Sequence, residues 1–361
     1  MIMDNFQFKH STKIVFGPGA LNSIGKEAKS LGGRILVVSA GGFLSKGNLK
    51  ERIVKIFENE NLKIELFEGI AGEPKVSEIN QGSAFAQEKR SEVIIGLGGG
   101  SAIDAAKAIA ACAASRQRIE KLLDDNNISL SVLPLIAVPT TAGTGSELTK
   151  GAIISDSEEK IKRALRSEEI IPKIAIVDPE LTLSLPPGLT ALTGFDALAH
   201  ALETLISKKA NLFTQALSQQ ALTTIFQNLP LAVKDGNNLA ARTKMSFASM
   251  IMGYNLTYAT TCLPHRIQYA VGTISGMSHA LGVAALYPAW LKMAEDVTTD
   301  KKILSDVRNL MEALEINVRL GDFGIKKEDI KSISDKVMGT LDQDPVYRDE
   351  GTVINILENS L

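Results

Sequence analysis

Three runs of almost unbroken apolar residues dominate the first half of the chain: Arg34-Ile35-Leu36-Val37-Val38, Glu92-Val93-Ile94-Ile95-Gly96 and Leu133-Pro134-Leu135-Ile136-Ala137-Val138. A strand without polar alternation must be covered on both faces, and strands spaced by helix-length segments are joined by crossovers rather than hairpins. These runs therefore predict βαβ units and a parallel sheet with helices on either side. Residues 13–16, 63–67 and 174–177 supply further strands, and residues 20–31, 49–58, 77–90 and 101–114 carry the intervening helical pattern.

Beyond Pro187 the pattern changes. Residues 190–207, 211–226, 239–252, 265–286, 300–314 and 327–341 carry helical periodicity, and no strand-like run stands out. The chain is thus expected to fold as an α/β domain over residues 1–180 and an all-α domain over residues 181–361, each long enough for its own core.

With 45% hydrophobic and 22% charged residues and a net charge of −2, the composition is that of a soluble globular protein. No basic tract offers a nucleic-acid or anionic-membrane surface. No apolar run reaches the ~20 residues that span a bilayer, and Met1-Ile2-Met3-Asp4-Asn5 has no secretory pattern. The two cysteines, Cys112 and Cys262, sit among small and apolar residues, which favours a reducing compartment. A cytoplasmic protein is expected.

Two loops suit a phosphate. Gly96-Leu97-Gly98-Gly99-Gly100-Ser101 ends one buried strand and opens a helix. Glycine lets the backbone approach a pyrophosphate, and the helix N-terminus presents free N–H groups. Ser101 is placed to cap that helix or to donate to a phosphate. A tight strand–helix turn also needs glycine without any ligand. The second loop, Pro139-Thr140-Thr141-Ala142-Gly143-Thr144-Gly145-Ser146-Glu147, follows the next buried strand and is crowded with hydroxyls. In a parallel sheet both leave the carboxyl edge, where ligands bind. Two such loops together favour a nucleotide over an ordinary surface loop.

The chain has four histidines, His10, His200, His265 and His279. Asp196 and His200 are four residues apart on a helical segment, so both project from one face and can share a divalent cation. His265 and His279 lie fourteen residues apart, far enough to come from two neighbouring helices or from a helix and its following loop. One carboxylate and three imidazoles suit Fe²⁺, Zn²⁺ or a similar ion better than Ca²⁺ or Mg²⁺. Spacing alone leaves hydrogen-bonded structural histidines as the alternative.

Ordered blocks, within a match that covers essentially the whole chain, resemble the iron-containing (group III) alcohol dehydrogenase family. They are Gly98-Gly99-Gly100-Ser101 with Asp104 and Lys107, the loop 139–147, and Asp178-Pro179-Glu180-Leu181-Thr182 leading to Thr193-Gly194-Phe195-Asp196-Ala197-Leu198-Ala199-His200-Ala201-Leu202-Glu203. The resemblance implies a Rossmann-like dinucleotide-binding α/β domain, a helical domain and an active site in the cleft. It makes Asp196, His200, His265 and His279 ligands of Fe²⁺ or Zn²⁺. Gly98, Gly99, Gly100 and Ser101 meet the phosphates of NAD(P)H; Asp104 belongs to the same cofactor-binding set; Thr140, Thr141 and Ser146 line the nicotinamide side; Lys160 or Lys162 reaches the cofactor. The implied reaction is hydride transfer between the nicotinamide and a small alcohol/aldehyde pair, with the metal as Lewis acid. A homodimer is the family default.

Three departures stand out. The histidine that family members carry four residues after the third ligand, implicated in proton relay, is Tyr269 here. His279 is followed by Ala280-Leu281-Gly282 rather than directly by Gly. Val37-Val38-Ser39-Ala40-Gly41-Gly42 lacks the Asp that binds a ribose 2′-hydroxyl, so nothing repels a 2′-phosphate and both NADH and NADPH stay open. The blocks 262–269 and 278–282 look most like the phosphonoacetaldehyde reductase (hydroxyethylphosphonate dehydrogenase) branch. That implies a two-carbon aldehyde with an anionic head group, such as phosphonoacetaldehyde or sulfoacetaldehyde, with Arg266 as the anion partner or else a helix-surface or interhelix charge. The same two-domain plan serves a metal- and NAD-dependent lyase resembling 3-dehydroquinate synthase, and a maleylacetate reductase is a further alternative. A non-catalytic nucleotide- or metal-binding regulator would leave the four convergent ligands unexplained.

Overall fold

The computed structural model describes residues 5–361 except 43, 45–47, 125–129, 160 and 299. Among these the strands are β1 (Lys13–Phe16), β2 (Arg34–Ala40), β3 (Lys63–Ile70), β4 (Val93–Gly98), β5 (Leu135–Pro139), β6 (Gly151–Asp156), β7 (Ile161–Arg166) and β8 (Ile174–Val177). Six form one parallel sheet in the order β1-β8-β5-β4-β2-β3. This is the sheet expected from the apolar runs, and its second feature, burial of both faces, follows from them too. Leu36, Val38 and Ile94 enter one core with the helix Gly100–Ser115, whereas Ile35, Val37, Val93 and Ile95 enter another with Leu21, Ile24, Ile53 and Phe57.

The helix Gly100–Ser115 lies close on the sheet because its residues are small. A Cβ on Gly96 would fall 2.9 Å from the Cβ of Ala106. That approach brings the end of β4 straight into the helix N-terminus.

β6 and β7 form an antiparallel pair that the apolar-run reading did not identify. β6 alternates, with Ala152, Ile154 and Asp156 buried, but β7 carries Lys162, Arg163 and Arg166, so no continuous apolar signal marks it.

The chain divides into two compact units. One is Lys9–Leu183; the other is Ser184–Leu361 together with the described residues before Lys9. Those first residues pack onto helices: the Phe8 ring lies 4.3 Å from Phe213, 4.7 Å from Tyr254 and 4.2 Å from Tyr258, centroid to centroid.

Every regular element among the described residues of the second unit is helical, with Pro187–Ile206, Leu212–Lys234, Leu239–Leu256, Leu263–Ser275, His279–Ala294 and Lys301–Ala313 as its longer helices. Two expectations are corrected. The helical pattern over 265–286 is interrupted at Gly276, which takes a left-handed φ of 71° and separates two helices. The pattern over 327–341 forms only a turn at Lys327–Asp329 and the short helix Ile330–Asp335. A helix at Glu350–Glu358 was not foreseen. No helix among the described residues is long and apolar enough to cross a membrane.

Candidate functional site

The helix Pro187–Ile206 starts on Pro186-Pro187, where a missing N–H removes no helical bond, and runs for five turns through mostly buried residues. Asp196, His200 and Glu203 share its inner face, all essentially buried. Leu263–Ser275 contributes His265, and His279 is the first residue of His279–Ala294. One donor atom from each of Asp196, His200, His265 and His279 lies within 4.8 Å of the others. The Nε2 atoms of His265 and His279 stand 3.4 and 3.5 Å from Asp196 Oδ1. The rings of His200 and His265 stack at 4.4 Å.

These residues fit a cation. Asp196 Oδ1 and His265 Nε2 are buried without a hydrogen-bond partner. A buried polar atom left without a partner is costly, and a metal bond removes that cost. The nitrogens facing away are fixed instead: His265 Nδ1 lies 2.7 Å from Glu203 Oε1, and His279 Nδ1 lies 2.8 Å from Gln268 Oε1. A ring that donates from Nδ1 offers its Nε2 lone pair to the centre.

Electrostatics agree. Burial opposes charge on Asp196, but the imidazoles of His200 and His279 hold its carboxyl well below the usual carboxylate range. Burial likewise opposes charge on His265, yet Glu203 and Asp196 push it up to about 9. The centre therefore attracts a positive charge, which a proton supplies when no cation does. His279 is the exception to burial, its side chain 29% exposed, so the centre is open on that side.

Glu203 and Gln268 were missed as site residues. Both were legible in principle: Glu203 falls seven residues after Asp196 and three after His200, and Gln268 three after His265, all on the ligand faces. Tyr269 stacks beside His279 with centroids 6.0 Å apart. Arg266 is buried, its Nε without a partner, and Gly339 lies against its guanidinium, so it is not a helix-surface charge.

In the unit Lys9–Leu183 the two glycine- and hydroxyl-rich loops meet. Gly98 ends β4 with φ +151°, and its carbonyl accepts from Thr140 N–H at 2.9 Å. A Cβ on Gly99 would lie 3.5 Å from Thr141, and one on Gly100 would lie 2.7 Å from Thr144. Gly99, Gly100, Ser101, Thr141 and Thr144 stay half-buried, so a ligand can reach them. The cap of the helix is Gly99, in extended backbone, rather than Ser101, which sits one residue inside the helix.

Asp104, Ser146 and Lys162, three other expected cofactor residues, have side-chain partners within the protein. The buried Lys107 ammonium donates to Ser146 Oγ at 3.1 Å, Thr149 Oγ1 at 2.9 Å and the Gly151 carbonyl at 2.7 Å. Asp104 accepts from Ser146 Oγ through one oxygen and from Ile153 N–H at 2.9 Å through the other. Thr140 is buried, and Lys162 Nζ pairs with Glu73 Oε1 at 2.7 Å. Lys160 lies outside the described residues. The remaining histidine, His10, belongs to this unit, where its Nε2 lies 2.9 Å from the Leu148 carbonyl oxygen.

Comparison with known proteins covers both halves. A family model for iron-containing alcohol dehydrogenase matches residues 11–179, and one for the C-terminal part of the Fe-containing alcohol dehydrogenase family matches residues 190–305. The NAD-dependent methanol dehydrogenase of Bacillus methanolicus is 35% identical over 267 residues, 74% of this chain and 70% of that protein. A solved 1,3-propanediol oxidoreductase superposes with a TM-score of 0.93 at 27% identity, over 99% of this chain and all of that one. Sulfoacetaldehyde reductase from Bifidobacterium kashiwanohense, solved with NAD⁺, superposes with a TM-score of 0.88 at 26% identity, over 99% and 98% of the two chains.

Proposed function

The chain belongs to the iron-containing alcohol dehydrogenase family, and from that premise we propose that it reduces a small aldehyde carrying an anionic head group, using NAD(P)H and a divalent metal held by Asp196, His200, His265 and His279. As a member it is an oxidoreductase acting on the CH–OH group. Both matched models are those of alcohol dehydrogenases, which favours hydride transfer over the lyase reading and an alcohol/aldehyde pair over the maleylacetate reductase reading. The observation that carries the site assignment is the pair of buried, partnerless ligand atoms, Asp196 Oδ1 and His265 Nε2, in a set of four donors.

A divalent iron or zinc in that set supplies Lewis acidity toward the substrate oxygen. A nicotinamide cofactor supplies the hydride, and Gly98, Gly99, Gly100 and Ser101 would hold its phosphates at a helix N-terminus. The protein's own residues do the rest. Glu203 and Gln268 keep two imidazoles presenting Nε2. The buried rings of Phe195, Tyr287 and Trp290 pack in sequence at 5.0 and 5.1 Å and help keep water away from the buried Asp196 helix. Tyr269, whose ring lies beside that of His279, would exchange a proton with the alcohol oxygen through its hydroxyl. Asp104, Lys107 and Ser146 act on the cofactor indirectly, by fixing the loop 139–147 against the helix Gly100–Ser115.

The anionic substrate rests on two supports: the buried Arg266 nitrogen without a partner, and the structural likeness to a sulfoacetaldehyde reductase. With no carboxylate at the end of β2, NADPH is proposed alongside NADH. The test is a panel of phosphonoacetaldehyde, sulfoacetaldehyde, propanal and butanal with each cofactor, on protein reconstituted with Fe²⁺ or Zn²⁺ and followed at the nicotinamide absorbance. Anionic aldehydes should show the higher kcat/KM, and Arg266→Met should raise KM for them by about tenfold or more while sparing the neutral ones. Equal rates across the panel would remove the anionic substrate.

A further inference from the structure

We propose that Glu203 is a positioning residue that sets both the rotation of the Leu263–Ser275 helix and the orientation of the His265 ring, with Asp344 as its counterpart on the same helix end. The inference rests on the metal reading above.

The first N–H groups of any helix have no partner inside it and must find one elsewhere. Here the N-cap Cys262 offers no side-chain cap, and Pro264 removes one donor. The Cys262 N–H is taken by Glu203 Oε2 at 2.6 Å, and the Leu263 N–H by Asp344 Oδ2 at 2.7 Å. Both carboxylates are fully buried. Glu203 spends its other oxygen on His265 Nδ1 at 2.7 Å. Asp344 spends the rest of its capacity on Trp290 Nε1 at 2.9 Å and Val346 N–H at 2.7 Å.

Glu203 therefore grips one helix at two points, its cap and its third residue. With those two contacts satisfied, rotation of the helix is blocked and the Nε2 lone pair of His265 faces Asp196. A neutral amide cannot replace it. Both partners of Glu203 are donors, whereas glutamine offers one acceptor and one donor group. Its NH₂ would either repel the Cys262 N–H or donate to Nδ1, which moves the ring proton to Nε2 and blocks the ligand atom. Glu203 also sets a second carboxylate on the far side of the His265 ring from Asp196, where it favours a cation in a buried site. Asp344 comes from residues beyond the 190–305 match, so this support lies outside the region of the family model.

The test titrates Co²⁺ alone into metal-stripped full-length protein, following its visible absorption and the heat of binding. Glu203→Gln should weaken Co²⁺ binding by roughly 10–100-fold, the usual effect of losing an outer partner of a ligand. Glu203→Asp should recover part of the loss, and Asp344→Asn should show a smaller loss, within about tenfold. If the unmodified protein binds Co²⁺ and folded Glu203→Gln binds it within about twofold of that, the positioning role is wrong while the metal centre stands. If the unmodified protein takes up no Co²⁺, the metal centre is gone and this inference with it. A direct reading needs no variant: in Zn²⁺-loaded protein labelled with ¹⁵N-histidine, the His265 ring should carry its proton on Nδ1, and a proton on Nε2 overturns the proposal.

Discussion

Gly282 leaves the space in which Gln268 sits: a Cβ there would fall 2.7 Å from Gln268 Cγ, and the Oε1 of that side chain lies 2.8 Å from His279 Nδ1. The small residue three positions after His279 thus reaches the candidate centre through Gln268. Gly282→Ala should displace the amide and free the His279 ring. Alanine is the better helix former by up to about 1 kcal/mol, so the variant should stay folded while its metal content falls. Metal analysis beside a thermal melt checks both; full metal occupancy would show that Gln268 relaxes without consequence.

Stripping the metal with a chelator should abolish turnover, and adding back Fe²⁺ or Zn²⁺ should restore it. In His279→Ala neither metal should restore it, because one of four donors is missing. Activity of the chelated protein at its original rate would contradict a metal-assisted reaction.

Gly100→Ala should weaken dinucleotide binding by about tenfold or more without altering metal content. Its Cβ would sit 2.7 Å from Thr144 and push the two loops apart. Nicotinamide fluorescence titration reads the affinity, and an unchanged Kd would mean the phosphates lie elsewhere.

Tyr269→Phe keeps the ring beside His279 and removes only the hydroxyl. If that hydroxyl exchanges the proton, kcat should fall by about tenfold or more with KM little changed, and the pH profile should shift. An unaltered kcat would leave Tyr269 a packing residue.

Glu147 should make stability fall as pH rises. Burial raises its pKa to about 7, with a backbone N–H and Lys107 only partly opposing it. Its folded pKa lies above the ordinary 4.5, so the folded state holds the proton more tightly. The contribution is complete below about pH 4.5 and is lost as pH rises through about 7. The loss is at most about 3 kcal/mol. Melting temperatures of the protein and of Glu147→Gln at pH 5 and pH 8 should show a smaller drop in the variant.

What could be read from the residues followed from local rules. Parallel strands buried on both faces are written as unbroken apolar runs, so β2, β4 and β5 were visible, and glycine after such a run marked the tight turn into the helix Gly100–Ser115. Asp196 and His200 were visible as a pair because helical spacing alone puts positions four apart on one face. Long-range relations were not visible in this way. Nothing local orders the strands as β1-β8-β5-β4-β2-β3, pairs the charged β7 with β6, or breaks the 265–286 run at a left-handed Gly276. Nor does it bring His265 and His279 to the Asp196 helix, bury Lys107 under the loop 139–147, or seat Asp344 on the end of a helix 81 residues earlier. Periodicity reports which side of an element is buried; which other element covers it, and which buried polar atoms then need a partner, is decided only when the whole chain has packed.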